Sequence, residues 1–110
     1  MEGPEMGQRE ARLQRRIQKA LNDRYGSDIY LFKVHGGPMM PAGLPDLICC
    51  VYGLYIGIEV KMPESIDNVS AIQRRIHDRI DRAGGIVLVA SSAADALAGV
   101  ARVVAETLDI

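Results

Sequence analysis

Residues 46–61, "DLICCVYGLYIGIEVK", constrain this chain more than any other stretch. Two apolar runs, "DLICCV" and "LYIGIEVK", flank a Tyr-Gly pair of hairpin-turn length, so they read as a buried antiparallel β-hairpin. Strand alternation turns Ile56, Ile58 and Val60 inward and puts Gly57, Glu59 and Lys61 on the opposite face. Pro63 then stops the ladder, because it has no N–H to donate. Such a hairpin has no packing reason to carry three charges, yet it holds Asp46 at its mouth and Glu59 and Lys61 in its second strand.

The remaining chain falls into elements around this hairpin. Residues 1–7 read as a flexible leader and residues 8–110 as a single domain. Residues 8–25 have helical period, with Leu13, Ile17, Ala20 and Leu21 on one face. "IYLFKV" is a strand, and "HGGPMMPAGLP" is too rich in glycine and proline for regular structure. A loop of that length in so small a domain points to function. "SAIQRRIHDRIDRAGG" is a second helix whose apolar stripe is Val69, Ile72, Ile76, Ile80 and Ala83. "IVLVA" reads as a continuous apolar, central strand, and "SSAADALAGVARVVAETL" as a third helix capped by Ser91 or Ser92. The order α-β-β-β-α-β-α predicts an α/β fold, a mixed β-sheet flanked by helices.

At 110 residues with 48% apolar and 25% charged side chains, the composition is that of one globular domain. The longest apolar run is too short for a membrane helix, and no secretory pattern opens the chain. The expectation is a soluble protein of the cytoplasm, in a prokaryotic or phage-infected host cell, with no membrane partner. Cys49 and Cys50 are adjacent and would point to opposite faces of a strand, which leaves two free thiols. Net charge is −1, but the basic residues are unevenly placed. The first helix carries Arg9, Arg12, Arg15, Arg16, Lys19 and Arg24 against Glu10 and Asp23. Arg74, Arg75, Arg79 and Arg82 of the second helix are partly offset by Asp78 and Asp81. These faces are either phosphate-binding surface or plain solvated helix.

A tight hairpin brings the start of its first strand beside the end of its second, so Asp46 and Glu59 converge across the ladder. Two carboxylates at that separation are either solvated or share a cation, and oxygen donors favour Mg²⁺ or Mn²⁺. Lys61 lies about 6.6 Å beyond Glu59 on the same face. A metal held by carboxylates beside an ammonium suits attack by water on a phosphodiester. The competing reading is an exposed sheet face with a cross-strand acid–base pattern. Glu10, three residues before Leu13 and seven before Ile17, shares the apolar face of the first helix. There it is either a further metal ligand or an acid suited to the helix start. "SAIQ" is a capping box with Ser70 as N-cap, which accounts for Gln73 as a cap, while its place beside the apolar stripe also offers contact with the hairpin. Lys33 and His35 share a strand face that leads into the glycine loop and are candidate phosphate contacts. His77, beside Arg74 and Arg75, reads as surface. Neither "GG" at 36–37 nor "GLYIG" has the context of a nucleotide-binding loop.

Taken together, Pro45-Asp46 and Glu59-Val60-Lys61 resemble the signature of the PD-(D/E)xK nuclease superfamily. "EARLQRRI", "KVHG", "AGLPDLI", "IEVK" and "SAIQ" before a glycine-ended helix, in that order, resemble its virus-type replication-repair nuclease (VRR-NUC) domain over roughly residues 8–90. The resemblance implies a restriction-endonuclease-like core. It implies Asp46, Glu59 and the main-chain carbonyl of Val60 as ligands of Mg²⁺ or Mn²⁺, Glu10 as the acid of the first helix, Lys61 as the catalytic lysine and Gln73 as the glutamine of the second helix. It also implies metal-dependent DNA hydrolysis that leaves 5′-phosphate ends. Branched DNA cut by a homodimer is the expected substrate, in the manner of Holliday junction resolvases. Arg9, Arg12, Arg16, Arg74, Lys33 and His35 are the expected DNA contacts. The alternatives are a flap-selective or nonspecific DNA endonuclease and a non-catalytic junction-binding module. Candidate dimer surfaces are the third helix and Met39-Met40.

Overall fold

The hairpin forms the middle of a four-stranded sheet. The structure, a computed structural model, describes residues 3–109. Helix α1 (Gly3–Tyr25) leads through a 3-10 turn into β1 (Ile29–Lys33). A long loop then reaches β2 (Leu47–Val51) and β3 (Leu54–Val60), and a second 3-10 turn at Pro63–Ser65 precedes α2 (Ala71–Arg82), β4 (Ile86–Ala90) and α3 (Ala93–Leu108). The strands lie in the order β1-β2-β3-β4, the first three antiparallel and β4 parallel to β3. This is the expected element order. Helix α1 starts at Gly3, inside the segment read as leader, and residues 1–2 lie outside the described residues. No helix among the described residues is long and apolar enough to cross a membrane.

The β2–β3 turn has two residues with positive φ, Tyr52 at 51° and Gly53 at 82°, which matches the right-handed twist of the strands it joins. Tyr52 adopts this uncommon backbone while its ring stands edge-on to Tyr25, 6.2 Å between centroids. The turn sets the register Val51↔Leu54 through Leu47↔Ile58. One face of the sheet, with Leu47, Cys49, Val51, Ile56, Ile58 and Val60, packs into a single core with Leu13, Ile17 and Leu21 of α1 and Val100, Val103 and Val104 of α3. Removing that apolar area from water supplies the main drive for folding. Cys49 lies in this core and Cys50 on the opposite, exposed face, both free.

Two sequence expectations change. Strand β4 is an edge strand, with Val89 39% exposed. Its apolar run arises because helices lie near both of its faces, and face cover does not require a second strand neighbour. The third helix spends its apolar stripe on the core, with Ala96 and Val100 fully buried, so it is not a free interface. Met39, by contrast, is 93% exposed. The sheet face under α2 is only partly covered, and Tyr30, Phe32 and Tyr55 remain exposed there.

Candidate active site

The open end of the hairpin gathers the charges. Asp46 directly precedes β2, and the register that pairs Leu47 with Ile58 continues to set Asp46 opposite Glu59. Its main-chain carbonyl accepts from Val34 N–H at 2.8 Å, and its Oδ2 accepts from Val60 N–H at 2.8 Å. One residue is thus tied to both neighbouring strands. Pro45, fully buried, leads the chain into this position over Gly57. A Cβ at residue 57 would stand 2.7 Å from Pro45 Cγ, so the glycine is what lets the proline lie flat on the strand.

Glu59 is 2% exposed. That excludes the reading of an exposed sheet face with a decorative charge pattern. Burial first, and then the Asp46 carboxylate within hydrogen-bonding range, push the Glu59 carboxyl up to about 8, with Lys61 opposing. A carboxylate in that position needs donors. Gln73 of α2 supplies one: its Nε2 donates to Glu59 Oε2 at 3.0 Å. The same amide completes the capping box, since Gln73 Oε1 accepts from Ser70 N–H at 2.9 Å and Ser70 Oγ accepts from Gln73 N–H at 3.1 Å. Gln73 Oε1 also accepts from Lys61 Nζ at 3.4 Å. Cap and site contact coexist because the two ends of one amide have opposite hydrogen-bonding character. The cap takes the oxygen and thereby aims the N–H₂ at Glu59.

Helix α2 is turned relative to the stripe read from the sequence. Ile72 is 54% exposed, while Gln73, Ile76, His77 and Ile80 point inward. No residue of α2 is fully buried, so little apolar packing fixes its rotation. Polar contacts to Glu59 compete effectively there. His77, read as surface, has a side chain only 15% exposed, with Nε2 3.4 Å from Glu59 Oε1. Burial lowers its pKa, against the opposing Asp78 charge, which favours a neutral ring. The missed signal was its spacing four residues after Gln73, which puts both on one helical face.

Glu10 approaches from α1. Its carboxyl is raised by burial and then by Asp46, and lowered by Lys61 and Lys33, so all four residues share one electrostatic neighbourhood. Lys33 thus lies within electrostatic range of Glu10. His35 is exposed at the start of the loop. Between Val34 and Asp46 that loop lines a pocket of about 300 Å³. Arg12 and Arg16 are exposed on α1 and Arg74 on α2. Arg9, half exposed, pairs with Glu64 at 3.2 Å and ties α1 to the 3-10 turn after β3.

The residues fit a hard divalent cation. Asp46 and Glu59 offer only carboxylate oxygens, they are close enough to repel, and Glu59 Oε1 is buried without a hydrogen-bond partner. Among the described residues no three His, Cys, Asp or Glu side chains gather into a metal cluster, so Glu10 does not join the other two in a ready-made cage.

No protein-family model matches the sequence, and no curated protein does. Among solved structures, one described as "VRR_NUC domain" is 26% identical with a TM-score of 0.52, covering 74% of this chain and 86% of that one. This chain has the VRR-NUC fold. Its mixed sheet and flanking helices are the restriction-endonuclease-like arrangement expected from the sequence. That likeness supports a nuclease domain family as the reading of this fold. Within that fold, the double use of Gln73 predicts separable defects. Ser70→Ala removes the N-cap and costs about 1 kcal/mol of stability with the Glu59 contact retained. Gln73→Glu keeps a capping-box acceptor but sets a second carboxylate against Glu59, so folding persists and any nuclease activity falls. Urea unfolding and cleavage rates of the two variants check this, and equal loss of activity in both would contradict it.

Proposed function

We propose that this chain is a Mg²⁺- or Mn²⁺-dependent DNA endonuclease that hydrolyses phosphodiester bonds in branched DNA, four-way junctions above all, as a homodimer. The observation that carries the reading is the buried Glu59 beside Asp46 with Lys61 on the same strand face, set in a VRR-NUC fold. Asp46, Glu59 and the Val60 carbonyl would hold the cation, with Glu10 assisting from α1. When bound, the cation supplies Lewis-acid charge and acidifies water.

The chain's own residues account for the rest. As the oxygen of water bonds to phosphorus and gives up a proton, the P–O3′ bond breaks and the 3′-oxygen leaves and takes up a proton from solvent, which yields 5′-phosphate and 3′-hydroxyl ends. Lys61 stands where its ammonium meets the charge that develops on the phosphate oxygens. Gln73 holds both Lys61 and Glu59 and so couples the cation site to the anion site. Lys33, His35, Arg9, Arg12, Arg16 and Arg74 would contact the DNA backbone on both sides of that centre. Two copies related by a two-fold axis suit a junction with two equivalent strands to cut. The exposed Tyr30, Phe32 and Met39 leave apolar surface for that pairing.

The test is cleavage of four-way junction, flap, single-stranded and linear duplex DNA side by side in Mg²⁺, Mn²⁺ and EDTA. Junction cutting with either cation, absent in EDTA, is the expected result. Equal cutting of all substrates would replace it with a nonspecific endonuclease. Binding without cutting in any condition would mark a junction-binding module.

A further inference from the structure

Three buried side-chain polar atoms among the described residues have no hydrogen-bond partner: Gln14 Oε1, Glu59 Oε1 and His77 Nε2. The last two face each other at 3.4 Å, from side chains only 3% and 15% exposed. Two unsatisfied groups of opposite capacity so close together point to a contact made under working conditions. An ionised carboxylate only accepts, and a ring N–H can serve it. The Gln73 amide does not fill the gap: its Nε2 donates to Oε2 and its oxygen accepts from Ser70 N–H, which leaves Oε1 without a partner. A movement of a few tenths of an ångström brings the histidine pair to a usual hydrogen-bond length of about 2.9 Å. Contacts of this kind are often long before substrate or cation is bound and tighten afterwards.

We propose that His77 is a positioning residue for Glu59. Together with Gln73, it grips the carboxylate from consecutive turns of α2, one donor on each oxygen. A carboxylate has about four acceptor positions, so two donors leave room for a cation while fixing the plane in which it is met. Gln73 and His77 are four residues apart on one helix, and α2 carries no fully buried residue to hold them by packing. The grip therefore also fixes the rotation of α2, which faces Gln73 and His77 inward and leaves Ile72 exposed.

This inference rests on the nuclease reading, and its test separates the two. His77→Leu removes the donor with a side chain of similar bulk, and His77→Gln restores an N–H near the position of the ring Nε2. Mn²⁺ affinity without DNA is measured by calorimetry, cleavage is resolved into kcat and KM, and thermal unfolding monitors the fold. His77→Leu should stay folded, bind Mn²⁺ about tenfold more weakly, and lose kcat in proportion with KM for DNA unchanged. His77→Gln should recover most of the loss in both readouts. Wild-type Mn²⁺ affinity in His77→Leu overturns the inference, as does His77→Gln behaving no better than His77→Leu. A wild-type protein that neither binds Mn²⁺ nor cuts any DNA overturns the nuclease reading, whereas a cutting wild type with an unaffected His77→Leu overturns the role of His77 alone.

Discussion

Glu59→Gln abolishes DNA cleavage, lowering kcat by about 10³-fold or more, which is about 4 kcal/mol of transition-state stabilisation, while the protein remains folded. The substitution keeps the shape of a side chain that is 2% exposed and removes only its charge. The amide oxygen still accepts from Gln73, which keeps one of the two approaches of α2 to this side chain, and the apolar core on the other face of the sheet is untouched. What goes is half of the carboxylate pair at the open end of the hairpin. Lys61→Ala produces a comparable loss by another route, since a half-buried ammonium is removed from beside the site and no core contact changes.

The same Glu59 substitution leaves a second mark, on stability. The Glu59 carboxyl is raised from 4.5 to about 8 in the folded chain. Between those values the folded state holds more protons than the unfolded state, so metal-free stability falls as pH rises from about 4.5 to about 8, and levels off above. Glutamine has no proton to lose there. In EDTA, Glu59→Gln therefore gains stability relative to the wild type as pH rises from about 5 to about 9. Urea unfolding across this range, beside a cleavage assay, measures both effects. Parallel pH profiles for the two proteins, or a cutting Glu59→Gln, would count against the site as described.

Gly57→Ala carries the second large effect, without touching any charged group. Its Cβ would stand 2.7 Å from Pro45 Cγ and 3.1 Å from Pro45 Cβ, closer than packed carbon atoms allow. Pro45 is fully buried and cannot swing into solvent, so it must rise from the strand and take Asp46 with it. Overpacking of this kind costs about 1–3 kcal/mol of stability. A displacement of about 1 Å at Asp46 lowers cleavage by about 10²-fold, because the carboxylate loses its alignment with Glu59. Gly36→Ala, where nothing lies within 4 Å of an added Cβ, serves as the control and should leave both quantities near wild type. Thermal unfolding and single-turnover cleavage of the two variants decide the matter. Full activity in Gly57→Ala would show that Pro45 yields without moving the aspartate.

The hairpin and the element order were legible because their signals are local. Alternation in "LYIGIEVK" assigns each side chain to a face whatever lies above it, and a two-residue turn leaves one register open. That is why Asp46 opposite Glu59, and Lys61 on the face of Glu59, follow from counting. Helix α2 shows where counting stops. Its period defines a stripe, but Ile72 and His77 lie near the edges of that stripe, and the rotation of the helix about its axis decides which goes in. Here a buried carboxylate on the strand beneath selects Gln73 and His77 and leaves Ile72 outside. Strand β4 is the same case in sheet form. Its apolar run reports cover on its faces, whereas its place at the edge depends on which strand it pairs with, a long-range choice no window of residues contains.

The amino-acid order alone was enough for the α-β-β-β-α-β-α fold, the hairpin register and the three charges at its mouth, since each depends on backbone periodicity and turn length. The burial of Glu59, its raised pKa, its hydrogen bond from Gln73 and the approach of His77 came from the packed chain. They depend on what is excluded from water around one side chain, and that is a property of helices and strands that bring Asp46, Gln73, His77 and Glu10 to it from 13, 14, 18 and 49 residues away in sequence.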